Sequence, residues 1–241
     1  MIYYAIADLH GRYDLLEKAI TAICNDADNL LVYKVITLGD YIDRGPDSKK
    51  IIECLIDYNT DTPEDFICLQ GNHEVIMVET IRSPLYPDWW IGNGGDATLK
   101  SYGGNPLPCV GGYGYYNYDP HVVPQEHVEW IANLPLYYET DKQVFVHAGV
   151  SNDDPLEKQS KNTLQWMLYS KEGHGGWQGK HVVHGHHQFA DGPHEWSGRT
   201  NLDTYAWRTG RLVVGVFDDT QGKALRYLEV LGDDYAKDNP S

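Results

Sequence analysis

Three short apolar runs, Ile2 to Ala7, Val32 to Leu38 and Phe66 to Leu69, each lead straight into a block that carries a carboxylate or carboxamide. The blocks are "ADLHG" at Ala7 to Gly11, "GDYIDRG" at Gly39 to Gly45 and "GNHE" at Gly71 to Glu74. Runs of this length rich in β-branched and aromatic residues read as strands, and Tyr13 to Cys24 and Asp47 to Tyr58 between them carry apolar residues at helical spacing. The chain therefore begins βαβαβ. In open sheets of that kind the crevice for ligands lies beyond the carboxyl ends of the strands. Asp8, Asp40 and Asn72 are thus expected to emerge together on one edge.

Further along, Ser83 to Pro120 is rich in Pro, Gly and aromatic residues and reads as loops around one or two short helices. Pro124 to Leu134 reads as a helix, Gln143 to Val146 as a strand, and Leu212 to Leu231 as two strands. With 241 residues, 41% of them hydrophobic, the chain can bury a substantial core, and one domain over residues 1–241 is expected. No apolar run reaches the length of a membrane span and the first residues do not resemble a signal peptide, so a cytoplasmic protein without membrane partners is expected. Cys24, Cys54, Cys68 and Cys109 lack metal-binding spacing; the first three lie in apolar stretches and read as buried free thiols. A net charge of −16 argues against duplex nucleic acid as a partner.

Two later blocks, "HAG" at His147 and "HGHH" at His184, complete a set of Asp, His, Asp, Asn, His and His. That set suits two divalent metal ions: Asp8 and His10 on one, Asn72, His147 and His186 on the other, with Asp40 bridging. Two ions about 3.5 to 4 Å apart can hold a hydroxide nucleophile and neutralise phosphoryl oxygens. Two carboxylates and one hydroxide against two divalent ions leave a small positive charge for a phosphate dianion, so the reaction expected is hydrolysis of a phosphate ester. Mixed carboxylate and imidazole donors without thiolate suit Mn²⁺, iron or Zn²⁺ better than Ca²⁺ or Cu(I), and Mn²⁺ is taken as the first choice among them.

His73 follows a ligand directly and reads as the general acid, Asp43 as the carboxylate that raises its pKa, and Arg44 as a planar clamp on the phosphate. His184 and His186 would share one strand face. His186 is taken as the ligand because Gly185 permits a close approach, and His184 takes a supporting or purely structural place. His121, His127, His174 and His194 read as ordinary solvent-facing residues. Glu74 reads as a favourable charge in the first turn of a helix.

Together with "WWIGNGGDATLKSYG" from Trp89, "NLDT" from Asn201 and "TGRL" from Thr209, these blocks resemble the phosphoprotein phosphatase family of the calcineurin-like metallophosphoesterases, particularly its small bacterial and phage (lambda-type) members. The resemblance implies an α/β fold, a two-sheet β sandwich flanked by helices on both sides. It gives Asp8, His10, Asp40, Asn72, His147 and His186 the same metal roles, and His73, Asp43 and Arg44 the same catalytic ones. It implies a protein serine/threonine phosphatase, with phosphotyrosine a further substrate; symmetrical dinucleoside polyphosphate hydrolysis is the alternative. The expected partners are then a phosphorylated protein or peptide, or a small phosphate ester or dinucleotide. Two departures stand out. Ala7 replaces a glycine of the first block, and Leu168 stands where family members carry an Arg that contacts phosphate, a loss worth about 1.5 to 3 kcal/mol unless another group substitutes. Arg12, Arg199 and Arg208 are the candidates for that substitution.

Overall fold

The computed structural model describes residues 1–30, 32–83, 87–105, 107–108, 116–117, 119–170 and 175–235. Cys109, His174 and most of the Gly- and Tyr-rich stretch before Pro120 lie outside them. The first half runs β1 (Ile2–Ile6), α1 (Tyr13–Asp26), β2 (Tyr33–Thr37), α2 (Ser48–Asp61), β3 (Phe66–Cys68), α3 (Asn72–Arg82) and α4 (Pro87–Trp90). A π-helical turn at Ile91–Gly95 leads into α5 (Asp96–Ser101), followed by the small pair β4 (Leu107–Pro108) and β5 (Tyr116–Asn117). The second half runs α6 (Gln125–Ala132), β6 (Tyr137–Glu139), β7 (Gln143–Val146), α7 (Lys161–Trp166), β8 (His181–His184), β9 (His194–Trp196), β10 (Arg199–Asn201), α8 (Ala206–Thr209), β11 (Arg211–Asp218) and β12 (Arg226–Leu231).

Two mixed sheets of five strands form the core, in the orders β12-β11-β1-β2-β3 and β6-β7-β8-β10-β9. β1, β2 and β3 run parallel, as do β7, β8 and β10, while β11 and β12 close the first sheet antiparallel. Side-chain alternation along each strand sorts the apolar residues into layers. Tyr4 and Ile6 of β1 pack with Leu15, Leu16, Ile51 and Ile52 of α1 and α2, and with Val128 and Ile131 of α6. Tyr3 and Ala5 face the other way and meet Phe145, Val183, Leu202 and Phe217 between the sheets. Val144, Val146 and Val182 then face Leu156 and Leu164, the latter on α7. The result is helix, sheet, sheet, helix.

The first five expected elements stand within a few residues of their predicted bounds, and β7 stands at them. Cys68 is buried and Cys54 half-buried, but Cys24 is exposed, because it lies on the outer side of α1 beyond Ile23. His127 is buried rather than solvent-facing, and Tyr102 Oη lies 2.9 Å from its Nδ1. Among the described residues no helix is long and apolar enough to cross a membrane.

Candidate metal centre

The carboxyl ends of β1, β2 and β3 deliver their blocks to one edge, as the strand order requires. The loops are bound to each other: His10 N–H donates to Asp40 O at 2.8 Å, Gly11 N–H to Tyr41 O at 2.8 Å and Gly45 N–H to His10 O at 3.0 Å. The backbone is also unusual. Eight non-glycine residues among those described have positive φ, and six of them are Asp8, His10, Asp40, Asp43, Arg44 and His186. Each such conformation costs on the order of 1 to 3 kcal/mol and persists only where the surroundings impose it.

Asp40 occupies the centre. Its Oδ2 lies 3.5 Å from His10 Nε2 and 3.9 Å from His73 Nε2; its Oδ1 lies 3.4 Å from His147 Nε2. Burial alone would raise its pKa, but His147, His73, His10 and His186 outweigh that and hold the carboxyl below the usual range. Glu74 does more than favour a helix dipole. It is fully buried and accepts from the backbone N–H groups of Asp40, Tyr41 and Gly71 at 2.8, 2.9 and 2.9 Å, which fixes the Asp40 loop against the start of α3. Burial and then Asp40 push its carboxyl up to about 8 against those donors.

The imidazoles are oriented from behind. His10 Nδ1–H donates to Ile42 O and His147 Nδ1–H to Leu38 O, each at 2.8 Å, so both rings present an Nε2 lone pair to the Asp40 side. His10 Nε2 is buried and has no hydrogen-bond partner among the described residues. His147 Nε2 faces Asn72 Oδ1 at 2.8 Å and His186 Nδ1 at 3.3 Å. Burial, first of all, pushes His10 and His147 below the ordinary imidazole range, and His186 down to about 3. Lone pairs crowded on lone pairs in a buried space call for cations. Two groups of donor atoms lie mutually within 4.8 Å, one from His10, Asp40 and His73 and one from Asp40, His147 and His186, both containing Asp40. The second group fits a divalent ion as it stands; in the first, His10 and Asp40 are the donors left for another ion if His73 is kept for a proton.

Asp8 is buried beside them but outside both tight groups; its Oδ1 and Oδ2 accept from His186 N–H at 3.1 and 3.0 Å. A Cβ on Gly185 would run into that carboxylate, so the tight approach expected at Gly185 is real. The shared strand face expected for His184 and His186 is not. β8 ends at His184, and His186 turns out of it with φ 66°. His184 is instead wedged behind the site: its Nδ1–H donates to Gly185 O at 3.0 Å and its Nε2 lies 3.4 Å from Arg199 Nη1.

His73 Nδ1 lies 2.6 Å from Asp43 Oδ2, and its Nε2 3.2 Å from Arg44 Nη2. Burial would lower the His73 pKa, but Asp40 and then the bond to Asp43 raise it, with Arg44 opposing. Residues that the sequence did not single out hold Asp43: Trp90 Nε1 and Thr98 Oγ1 donate to its Oδ1 at 3.0 and 2.6 Å. Both lie in the segment from Trp89 to Gly103 that carried the resemblance, which was the only signal for them. Arg44 lies over the Trp207 ring, 5.3 Å from its centroid. Leu168 is exposed. Two candidates for its missing Arg are committed elsewhere, Arg12 to Asp14 and Asp234, and Arg199 between the rings of Trp196 and Tyr169.

A two-sheet core with a buried His, Asp and Asn cluster at its strand ends defines a metal-dependent phosphoesterase scaffold. The profile of the calcineurin-like phosphoesterases matches residues 1–218, and the chain belongs to that family of phosphoric ester hydrolases, which use divalent metal ions. A zinc-dependent endopolyphosphatase of Saccharomyces cerevisiae is 30% identical over 88 residues, which are 36% of this chain and 25% of that protein. The chain thus spans about a quarter of that relative's length. A provisionally assigned diadenosine tetraphosphatase is a structural match with TM-score 0.64 at 19% identity, covering 96% of this chain and 93% of that one. A cold-active protein-tyrosine phosphatase of a Shewanella species matches with TM-score 0.63 at 12% identity, over 95% and 77%. A serine/threonine phosphatase of Saccharomyces cerevisiae matches with TM-score 0.56 at 12% identity, over 96% and 80%. At these identities the likeness establishes the fold.

Proposed function

We propose that the protein is a phosphomonoesterase that removes phosphate from phosphoserine or phosphothreonine in a protein or peptide, and that residues 1–241 act as one domain. The observation that carries this is the arrangement around Asp40: lone-pair donors on both sides, and the Asp43, His73, Arg44 chain at its edge. Asp8, His10 and Asp40 would hold one ion and Asp40, Asn72, His147 and His186 the other, with Mn²⁺ as the first choice. Bound there, the ions supply an acidified water and positive charge at the phosphoryl oxygens.

The chain's own residues do the rest. His73, its ring fixed by Asp43, carries a proton at Nε2 to the departing alkoxide. Arg44 swings from His73 Nε2 to two phosphoryl oxygens, and Trp207 beneath it limits where the guanidinium travels. Trp90 and Thr98 keep Asp43 from turning away from His73.

One observation favours a second reading, dinucleoside polyphosphate hydrolysis. Trp89 stacks on Trp166 at 5.6 Å and 17°, and Trp166 meets His186 edge-on at 6.1 Å. Trp89 is 51% exposed and the pair borders an open cavity of about 460 Å³ with Lys161 in its wall. A nucleobase stacks on such a surface. Turnover of p-nitrophenyl phosphate, a phosphothreonine peptide, a phosphotyrosine peptide and diadenosine tetraphosphate by the Mn²⁺-loaded protein separates the readings. A phosphothreonine preference is expected; dominant turnover of the dinucleotide overturns the first reading.

A further inference from the structure

Arg199, at the start of β10, is buried and held by its neighbours on every side. Its guanidinium carbon lies 3.7 Å from the centroid of the Trp196 ring and 4.7 Å from that of Tyr169, and its Nη2 donates to Ser170 O at 3.3 Å. The stem runs so close to Gly175 that a Cβ there would come within 1.9 Å of its Cδ. Nη1 is left facing His184 Nε2 at 3.4 Å. A guanidinium only donates, so Nε2 accepts and the ring carries its proton on Nδ1. That Nδ1–H donates to Gly185 O at 3.0 Å.

Gly185 O and His186 N–H belong to one planar peptide unit. Its oxygen takes His184 Nδ1–H and His187 N–H, the latter at 2.8 Å, while its N–H reaches Asp8 Oδ1 and Oδ2 at 3.1 and 3.0 Å. The tilt of this peptide therefore sets both the Asp8 carboxylate and the direction in which the His186 ring leaves the chain. In the two-ion reading those ligands serve different ions, so one peptide positions a ligand for each. The left-handed φ of 66° at His186 is a conformation that persists only where surroundings impose it. With the proton on Nε2 instead, a bare Nδ1 would face Gly185 O, lone pair against lone pair, and push the peptide round. Tyr169, the ring on one side of Arg199, also braces the neighbouring block: its Oη accepts from Val150 N–H at 2.9 Å, and Gly185 N–H donates to His147 O at 2.9 Å.

We propose that Arg199 is a positioning residue for the metal centre: it holds His184 with its proton on Nδ1, which orients the Gly185–His186 peptide and through it Asp8 and His186. The proposal rests on the two-ion reading of the site. It also accounts for the residue type, since a lysine would bring charge without a plane to lie between two rings or a fork to reach His184 and Ser170 together. Outer partners of this kind tune metal affinity without touching the ion.

Calorimetric titration of the metal-free protein with MnCl₂ tests it through a double-mutant cycle, with circular dichroism to confirm that each variant folds. Arg199→Met keeps the apolar stem and removes the donor; Arg199→Lys keeps the charge and removes the plane. Each is expected to weaken Mn²⁺ binding about 10- to 100-fold. His184→Asn offers an amide N–H to Gly185 O that needs no guanidinium to fix its proton. It is expected to keep most of the affinity, and adding Arg199→Met to it should cost no more than about twofold. Unchanged Mn²⁺ affinity in both Arg199 variants overturns the proposal, as does loss of binding in His184→Asn itself. The same fold-loss from Arg199→Met in both backgrounds overturns it too, because Arg199 would then support the fold without acting through His184, and so does failure of both Arg199 variants to fold. Asp40→Asn is the control: if it binds Mn²⁺ like the unsubstituted protein the two-ion reading fails, whereas loss there with unchanged Arg199 variants removes only the present inference.

Discussion

Arg44 Nη2 lies 3.2 Å from His73 Nε2, on the ring edge opposite the 2.6 Å bond between His73 Nδ1 and Asp43. A guanidinium only donates, so in this arrangement Nε2 accepts and carries no proton. The proposed acid needs its proton on that same atom. Arg44 and the proton therefore exclude each other, and a phosphate that draws Arg44 away leaves His73 free to be charged.

Replacing Arg44 with Ala should raise KM for a phosphate monoester about tenfold or more, in line with loss of a charge-assisted contact. It should also move the basic limb of the pH–rate profile upward, because Arg44 lowers the His73 pKa. Steady-state kinetics between pH 5 and 9 checks both. A limb that stays put would mean that Arg44 does not rest on His73 in solution.

His73→Asn should lower kcat by about 10²- to 10⁴-fold while both metals remain bound. Asp40→Asn should lose metal as well as turnover. Metal analysis of the purified variants beside their kinetics separates these outcomes, and unchanged turnover in His73→Asn would remove the general-acid assignment.

Leu168→Arg should lower KM for phosphate monoesters about tenfold, since Arg12 and Arg199 are held by other partners. No change in KM would show that a group such as the exposed Arg208 already serves the phosphate.

Acid should destabilise the metal-free protein. Burial first of all depresses His184 to about 3 and His181 to about 4 from an ordinary 6.5. A depressed imidazole contributes stability that is present above the unfolded value and is lost as pH falls below it, by up to about 1.4 kcal/mol per pH unit for each group. The unfolding midpoint should thus fall between pH 6.5 and 4, and His184→Gln should flatten the fall. His73 has the opposite sign, because its folded value is raised; its contribution is full below 6.5 and is lost as pH rises through the folded value. The raised carboxyls of Glu74 and Asp8 oppose the fall as His73 does, so the check is the difference between the unsubstituted protein and His184→Gln: a fall equally steep in both would contradict the depressed value of that ring.

The blocks that converge on Asp40 were legible because each follows a strand, and strand ends are fixed by patterns of period two that a sequence displays openly. Asp40 at the centre and His73 against Asp43 are positions that such a pattern delivers. What stayed hidden depends on contacts between distant segments. Nothing local marks Glu74 as the acceptor for three backbone N–H groups, or Trp90 and Thr98 as the groups that hold Asp43. His184 and His186 were misplaced on one face because the pattern does not show where β8 stops. His127 has no apolar signature, so its burial against Tyr102 could not be read either.

The left-handed backbone at Asp8, His10, Asp40, Asp43, Arg44 and His186 also limits which sequences this edge can accept. Asn tolerates such φ values nearly as well as Asp, whereas β-branched residues do not. An Asp-to-Asn replacement at these positions can therefore erase the chemistry while preserving the shape. A silent copy of this enzyme would have the outline of a working one, and only its charges would tell the two apart.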